Sequence, residues 1–353
     1  MRNPLSSGSF PSAIAAAIGA LLLAAGPSHA AGQKSFRDWS AVCDNLGTCV
    51  AFAWPKDETE IAWLRFERAY APDAPVKAVL AVYAEDDLDV GGGPWFIDVD
   101  GKPVTGLGAL YPTQDGNGFW RMEIPDAHTR ALAIAARDGA ALKLTRRKKD
   151  PITLSLSGGG ATMIWIDEQQ NRLGTPTALS RAPGPAPVVI SAGVRIAPAP
   201  PVTQTGLPDA VPAAAMAVAG ECEELDDRPA EALIARLSPG VVLFAPVCSR
   251  GAYNAIYSLV LADDQGRGGR RIDLPLPAGF GMARISDPMN LDYDPATRTL
   301  TSFSKGRGLG DCGDEIHWVW TGEAFQVLLA RVMGECRGVP YDDWPTLFQG
   351  EVR

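Results

Sequence analysis

Through the second half of the chain, apolar and polar positions alternate in short runs, the period of half-buried strands. Ile316 to Trp320 shows it most clearly, with Ile316, Trp318 and Trp320 on one face and His317 and Val319 on the other. Thr321-Gly322 supplies a turn, and Phe325 to Leu329 returns as the next strand. Val241 to Phe244, Tyr253 to Ala262, Arg271 to Leu276, Leu291 to Asp294 and Thr299 to Phe303 are rich in strand-forming residues, with turn runs at Asp263–Gly269 and Pro295–Thr297. Strand after strand with no helix between them is a meander, which predicts a sandwich, a barrel or a propeller-like sheet.

The first half is mixed but β-rich. Lys77 to Tyr83 (KAVLAVY) suits a buried strand, and Ile152 to Leu156 alternates like another. Asp100-Gly101 reads as a hairpin turn, since a calcium loop needs more oxygen ligands at set spacing. Pro125-Asp126 opens a predicted helix that runs through Ala136, with Asp126 as the capping acid. A second helix is predicted from Ala161 to Gln170, after the glycine run Gly158-Gly159-Gly160. The fold class expected is therefore mainly β with a few helices: a β-rich α+β first domain and an all-β, sandwich-like second one.

Pro183 to Pro212 contains eight prolines, little charge and no apolar period. Proline at that density blocks helix interiors and central strands, so a semi-rigid linker over 183–215 is expected between domains at 35–182 and 216–353. The first thirty residues read as a cleaved export signal. Ala13 to Ala25 is apolar, Gly26-Pro27 breaks the run, and cleavage is expected between Ala30 and Ala31. A membrane span needs roughly 20 apolar residues, more than this run supplies, and no later stretch qualifies.

Composition then narrows the setting. The 353-residue chain is 46% hydrophobic with nine Trp, enough for real cores, and carries a formal charge of -9. An acidic protein is a poor partner for nucleic acid or an anionic membrane. The one basic block, Arg146-Arg147-Lys148-Lys149, reads as a solvated turn, and the acidic cluster Glu85, Asp86, Asp87 and Asp89 as a solvated loop. Six cysteines (Cys43, Cys49, Cys222, Cys248, Cys312 and Cys336) lie behind the export signal. An even count in that context predicts a disulfide framework in an oxidising compartment. The linker separates two cysteines from four, so Cys43 is expected to pair with Cys49. Among three possible connectivities for the other four, Cys222–Cys248 with Cys312–Cys336 is preferred. On that division each domain is stapled independently, and breaking Cys312–Cys336 is expected to leave the first domain folded.

Catalytic signatures are sparse. Only His128 and His317 remain after signal removal, on different predicted domains. The chain has no C-x-x-C, G-x-S-x-G, S-x-x-K, H-E-x-x-H or Walker pattern, so zinc ribbons, thiol redox sites and most hydrolase classes find no support. No catalytic residue, metal or cofactor is assigned. One segment has the character of a site: Ser304 to Gly313, with four glycines and two cations in ten residues. Glycines at alternate positions can aim successive N–H groups at an anion, to which Lys305 and Arg307 add charge. Lys305, Gly306, Arg307, Gly308 and Gly310 are therefore the candidate binding residues. The plainer reading is a hairpin loop pinned by a disulfide at Cys312.

The opening Phe36-Arg37-Asp38-Trp39-Ser40-Ala41-Val42-Cys43-Asp44-Asn45 resembles the start of the DUF-1176 family of exported bacterial proteins. Lys305 to Gly313, Trp318-Val319-Trp320, Cys336-Arg337-Gly338-Val339-Pro340 and Trp344-Pro345 are similar to that family's closing pattern. Phe36-x-x-Trp39-x-x-x-Cys43 and Gln170-x-Arg172-x-Gly174 also resemble, more weakly, the invasion-associated locus B family. The resemblance implies an envelope protein of Gram-negative bacteria and supplies no catalytic residues. Two functional readings follow. The first is a periplasmic binding or interaction protein, with an envelope protein or glycan as partner, or a lytic enzyme such as lysozyme that it inhibits. The second is a carboxylate-dependent envelope hydrolase using Asp311, Asp314 and Glu315.

Overall fold

A computed structural model describes residues 31–57, 59–84, 93–116, 118–146, 150–181, 193–220, 222 and 231–353. Residues 1–30, where an export signal is expected, the acidic cluster at 85–89, the block 147–149 and the proline-rich residues 183–192 lie outside the described residues.

In the first half the strands are β1 (Gly32–Phe36), β2 (Trp39–Cys43), β3 (Cys49–Ala53), β4 (Ala62–Arg68), β5 (Val76–Tyr83), β6 (Trp95–Val99), β7 (Lys102–Pro103), β8 (Thr113–Gln114), β9 (Phe119–Glu123), β10 (Ala141–Arg146) and β11 (Ile152–Ser155). They form a seven-stranded antiparallel sheet, β1-β2-β3-β4-β5-β9-β8, and a four-stranded one, β11-β10-β6-β7. The turn at Asp100-Gly101 joins β6 to β7 as expected, with φ of 52° and 75° at the two residues. Helix α1 (Asp126–Asp138) begins at Pro125, not at a side-chain cap. Asp126 is its first residue, so the expected capping role is corrected: its carboxylate meets the positive end of the helix dipole but makes no capping bond. Helix α2 (Gly159–Gln169) begins inside the glycine run, two residues earlier than expected, and α1 packs against it.

One face of the large sheet carries Trp39, Ala51, Leu64 and Leu80 into a core shared with α1, α2 and the small sheet. The other face carries Val50, Phe52, Trp63, Ala81 and Phe119, which are buried as well. Every residue of β3, CVAFA, is buried. A strand covered on both faces reads as a continuous apolar run.

A buried polar knot closes this half. Arg68 Nη2 lies 2.6 Å from Asp167 Oδ1, and both side chains are out of solvent. Asp167 Oδ2 accepts the N–H groups of Leu179 and Ser180, and Gln170 Oε1 accepts from Arg68 Nε at 2.6 Å. Arg172 donates to the carbonyls of Tyr70 and Pro72. Gln170 Nε2 also donates to the carbonyls of Gly47 and Arg68, so Gln170 and Arg172 of the Gln-x-Arg-x-Gly motif satisfy carbonyls before β3 and at the end of β4 and beyond that burial would otherwise leave unpaired.

The second half contains β12 (Val194–Ile196), α3 (Ala213–Ala219), β13 (Ala232–Ser238), β14 (Val241–Arg250), β15 (Ala255–Tyr257), β16 (Val260–Ala262), β17 (Arg270–Arg271), β18 (Leu274–Pro275), β19 (Arg284–Ile285), β20 (Asp292–Asp294), β21 (Thr299–Lys305), β22 (Gly313–Trp320), β23 (Phe325–Met333) and β24 (Thr346–Val352). The expected meander runs from β20 to β24 in chain order, with β12 added parallel to β24 at its edge. It faces a second sheet, β13-β14-β16-β17, across a core holding Leu300, Ile316, Trp318, Trp320 and Leu243. The alternation of β22 is therefore the core face of a sandwich. Trp318 Nε1 donates to Pro275 O at 2.6 Å and Trp320 Nε1 to Ser238 Oγ at 2.9 Å, which satisfies both buried indoles.

Residues 193–215, expected to be part of a semi-rigid linker, pack against the second half. β12 pairs with β24, and α3 packs its alanines against Val242, Phe244 and Val260 on the outer face of β14 and β16. Proline spaces these contacts without supplying the hydrogen bonds: β12 has none within it, and Pro212 sits just before α3, where a missing N–H costs nothing.

The cysteines are joined as Cys43–Cys49, Cys222–Cys248 and Cys312–Cys336. No described helix is long and apolar enough to cross a membrane.

Candidate functional site

The glycine-cation loop connects β21 to β22 and is fixed at its base. Gly306 N–H donates to Cys312 O at 2.8 Å, and Gly310 N–H to Arg307 O at 2.9 Å. Asn254 donates from Nδ2 to Lys305 O at 2.9 Å and accepts from Asn290, which donates in turn to Phe303 O. Tyr253 OH donates to Gly306 O at 3.2 Å. Gly313 has φ of 135°, and a Cβ there would lie 1.9 Å from Ser304 O, so only glycine lets the strand leave the loop this close to its neighbour. The Cys312–Cys336 bond ties the loop to the segment after β23.

Arg307 folds back onto its own loop while staying partly in solvent. Its Nε donates to Asp311 Oδ1 at 2.7 Å, with a second bond at 2.5 Å, and Asp311 also accepts Gly338 N–H at 2.6 Å. Burial alone would raise the Asp311 carboxyl, but these partners outweigh it and hold it below the usual aspartate range. The fork geometry spends Arg307 on the loop's own closure. Lys305 makes no ion pair among the described residues. At the tip, Leu309 is 69% exposed, with the half-exposed Tyr253 ring beside Gly308. The loop thus presents an apolar tip with one ammonium near its base.

The three carboxylates considered for hydrolysis do not converge. Asp311 is held by Arg307, and Asp314 and Glu315 are neighbours in β22, so they point to opposite faces of the sheet. Burial pushes Asp314 up to about 6, against a hydrogen bond with Ser304. Glu315 belongs instead to a polar chain that the sequence reading missed. His317 Nε2 lies 3.1 Å from Glu315 Oε1, Tyr341 OH donates to Glu315 Oε2, and Arg331 Nη1 donates to Tyr341 OH at 2.8 Å. Burial and the Glu315 charge push the Tyr341 hydroxyl up to about 12. Burial opposes ionisation of Glu315, but His317 and Tyr341 hold its carboxyl below the usual glutamate range. The spacing Glu315-x-His317 on one strand face was legible; Tyr341, on a 3-10 turn, was not. Among the described residues, no group of three or more His, Cys, Asp or Glu is placed to hold a metal. His128 lies on α1, away from this chain of groups.

Behind the loop the two halves meet. Cys312, Met333, Val339 and Trp344 join Val50, Phe52, Trp63 and Phe119 in one apolar cluster. Trp344 stacks on Phe303 at 5.6 Å between ring centroids. Arg121 bridges to Asp343, with Nη1 at 3.0 Å from Oδ1, and its guanidinium lies 5.4 Å from the Trp63 ring centre. The short Cys43–Cys49 loop supplies a further clasp. Asn45 donates from Nδ2 to Gln349 O at 2.9 Å and accepts Gln349 N–H on Oδ1 at 2.8 Å, so its side-chain amide stands in for one residue of a neighbouring strand. Asp44 Oδ2 accepts from Gln349 Nε2 at 2.7 Å, while Asp44 Oδ1 accepts the N–H groups of Leu46 and Thr48.

The two ends of the chain therefore meet, the Cys43–Cys49 loop at Gln349, and β3, β4 and β9 at Cys312, Val339 and Trp344. The comparisons agree with that span. Residues 33–350 match the family described as protein of unknown function DUF1176. The chain is similar to the uncharacterized protein YpfG of Escherichia coli K12, 27% identical over 328 residues, which cover 90% of this chain and 92% of that one. It is also similar, at 16% identity and a TM-score of 0.28, to the crystal structure of invasion associated protein b from Bartonella henselae, covering 39% of this chain and 98% of that one. With nearly its whole length matched by the family model, the chain belongs to the DUF1176 family of proteins of unknown function.

Proposed function

We propose that this chain is a binding protein of the bacterial periplasm, and that the loop from Lys305 to Asp311 is the element that recognises its partner. The observation that carries the reading is an apolar side chain, Leu309, held in solvent on a loop whose shape is set by a disulfide, an internal ion pair and three side-chain anchors. Ordering a flexible loop on binding costs roughly 0.5–1.5 kcal/mol per rotamer-rich side chain, and a loop already fixed avoids most of that loss. Leu309, Tyr253 and Lys305 together suit a concave protein surface with a carboxylate at its rim. An enzyme cleft is one such surface, and a lytic enzyme is the partner to try first. Arg307 has a structural part in this reading and no direct contact with the partner.

The test is photo-crosslinking in intact cells. A photoreactive residue at position 309 is expected to give a discrete adduct that the same residue at Tyr111, 71% exposed in the first half, does not give. Leu309→Asp is expected to remove binding of the captured partner without changing the melting temperature. Identical adducts from both positions, or none from position 309, would overturn the reading.

A further inference from the structure

A second site stands apart from the loop. Between β1 and the end of β23 lies a groove of about 180 Å³ at the junction of the two halves, a common place for small-molecule sites. Strand register shows what it presents. Ser35 is opposite Ser40, and Ser40 is opposite Phe52, so these three share the face of the sheet turned toward the second half. Gln33 lies two residues before Ser35 on the same face. Glu335, beyond β23, forms the far wall, and Phe52 and Met333 form an apolar floor.

The polar atoms are mostly acceptors. Ser35 Oγ donates to Glu335 Oε1 at 3.0 Å, which orients the carboxylate and leaves Glu335 Oε2 with no partner among the described residues. Gln33 Nε2 donates one hydrogen to Gly279 O at 3.3 Å and keeps a second, while its Oε1 is turned toward Gly334 and accepts no hydrogen bond among the described residues. Ser40 Oγ has no hydrogen-bond partner among the described residues. Lys34 lines the groove through its backbone only, since its Nζ lies 5.2 Å from the Phe36 ring centre on the opposite face. The groove therefore offers one carboxylate oxygen, one amide oxygen and serine hydroxyls above an apolar floor, with no competing cation of its own. A group with three donors and a positive charge matches that set, and a short carbon chain matches the floor.

We propose that this groove binds a small organic primary ammonium, with the ammonium on Glu335, Gln33 and Ser40 and its aliphatic carbons on Phe52 and Met333. The experiment uses the chain from Ala31 onward with its disulfides intact, titrated with 1,5-diaminopentane and, separately, with 1,5-pentanediol, which has the same length and no charge. Binding is followed by amide chemical shifts. The diamine is expected to give saturable shifts at Gln33, Ser35, Ser40 and Gly334, and the diol none. Glu335→Gln is expected to weaken the diamine at least tenfold. Ser40→Val, which leaves the charge unchanged, is expected to weaken it several-fold and decides the matter if Glu335→Gln lowers the melting temperature. Equal response to diamine and diol, shifts spread over the acidic surface, no saturable shift, or full affinity in a folded Glu335→Gln chain would each overturn the proposal.

Discussion

Trp344→Ala tests whether the two halves are one cooperative unit. Trp344 is 3% exposed, stacks on Phe303, and shares its cluster with Phe52, Trp63 and Phe119 from the other half of the chain. Its indole N–H donates to Val339 O at 3.2 Å. Removing a buried tryptophan typically costs about 3–5 kcal/mol, because the cavity only partly collapses. For a domain of this order, that lowers the melting temperature by roughly 10 °C. If the interface couples the halves, the loss is shared by residues some 280 positions away in sequence, from Trp344 to Trp63. Hydrogen exchange read by mass spectrometry separates the outcomes. Amides of β3 and β4 are expected to lose protection together with those of β23, and Trp344→Phe is expected to recover much of it. Melting in two steps, with β3 and β4 protected as in the unmodified chain, would refute the coupling.

Three further predictions follow from the same contacts. Asp167→Ala strands the buried Arg68 guanidinium and two backbone N–H groups, and is expected to destabilise by roughly 3–5 kcal/mol in urea unfolding; a loss below about 1 kcal/mol would show that the pair is solvated. Asp314 has its folded-state carboxyl raised to about 6, so the folded chain holds its proton more tightly than the unfolded one. Its contribution to stability therefore falls as pH rises from about 4 to 6, and Asp314→Asn is expected to raise the melting temperature at pH 7.5 and leave it unchanged near pH 3.5. Cys312→Ser with Cys336→Ser opens a loop with a sequence separation of 24 and is expected to cost about 3 kcal/mol. Cys312 lies in the shared cluster, so this loosening is expected to reach β3 and β4 as well; a first half that keeps full protection would restore the independent division drawn from the linker.

The sequence shows the halves more readily than their union. The alternation of Ile316, Trp318 and Trp320, the Asp100-Gly101 turn and both long helices are local patterns, and local patterns are legible. β3 is different. CVAFA has no period because one of its faces meets the first core and the other meets Met333 and Trp344, and nothing near β3 in sequence announces that second face. Asn45 looks like a turn residue and acts as a strand surrogate, which depends on where Gln349 lies. Residues 193–215 read as a spacer because proline hides pairing, yet Val194 to Ile196 borrow theirs from β24. In the glycine loop the cations were legible and their use was not: Arg307 and Asp311 are four apart, and only the fold of the loop turns one onto the other.

The sheet with two buried faces has a consequence for how the protein is made. Its outer residues from Val50 to Phe119 leave the ribosome long before Val339 and Trp344, which cover them. At synthesis rates of about 5–20 residues per second, the 220 positions from Phe119 to Val339 take on the order of 10–40 s. For that interval the nascent chain carries an uncovered aromatic surface around Phe52, Trp63 and Phe119. Its yield in a cell therefore depends on what shields that surface until translation ends.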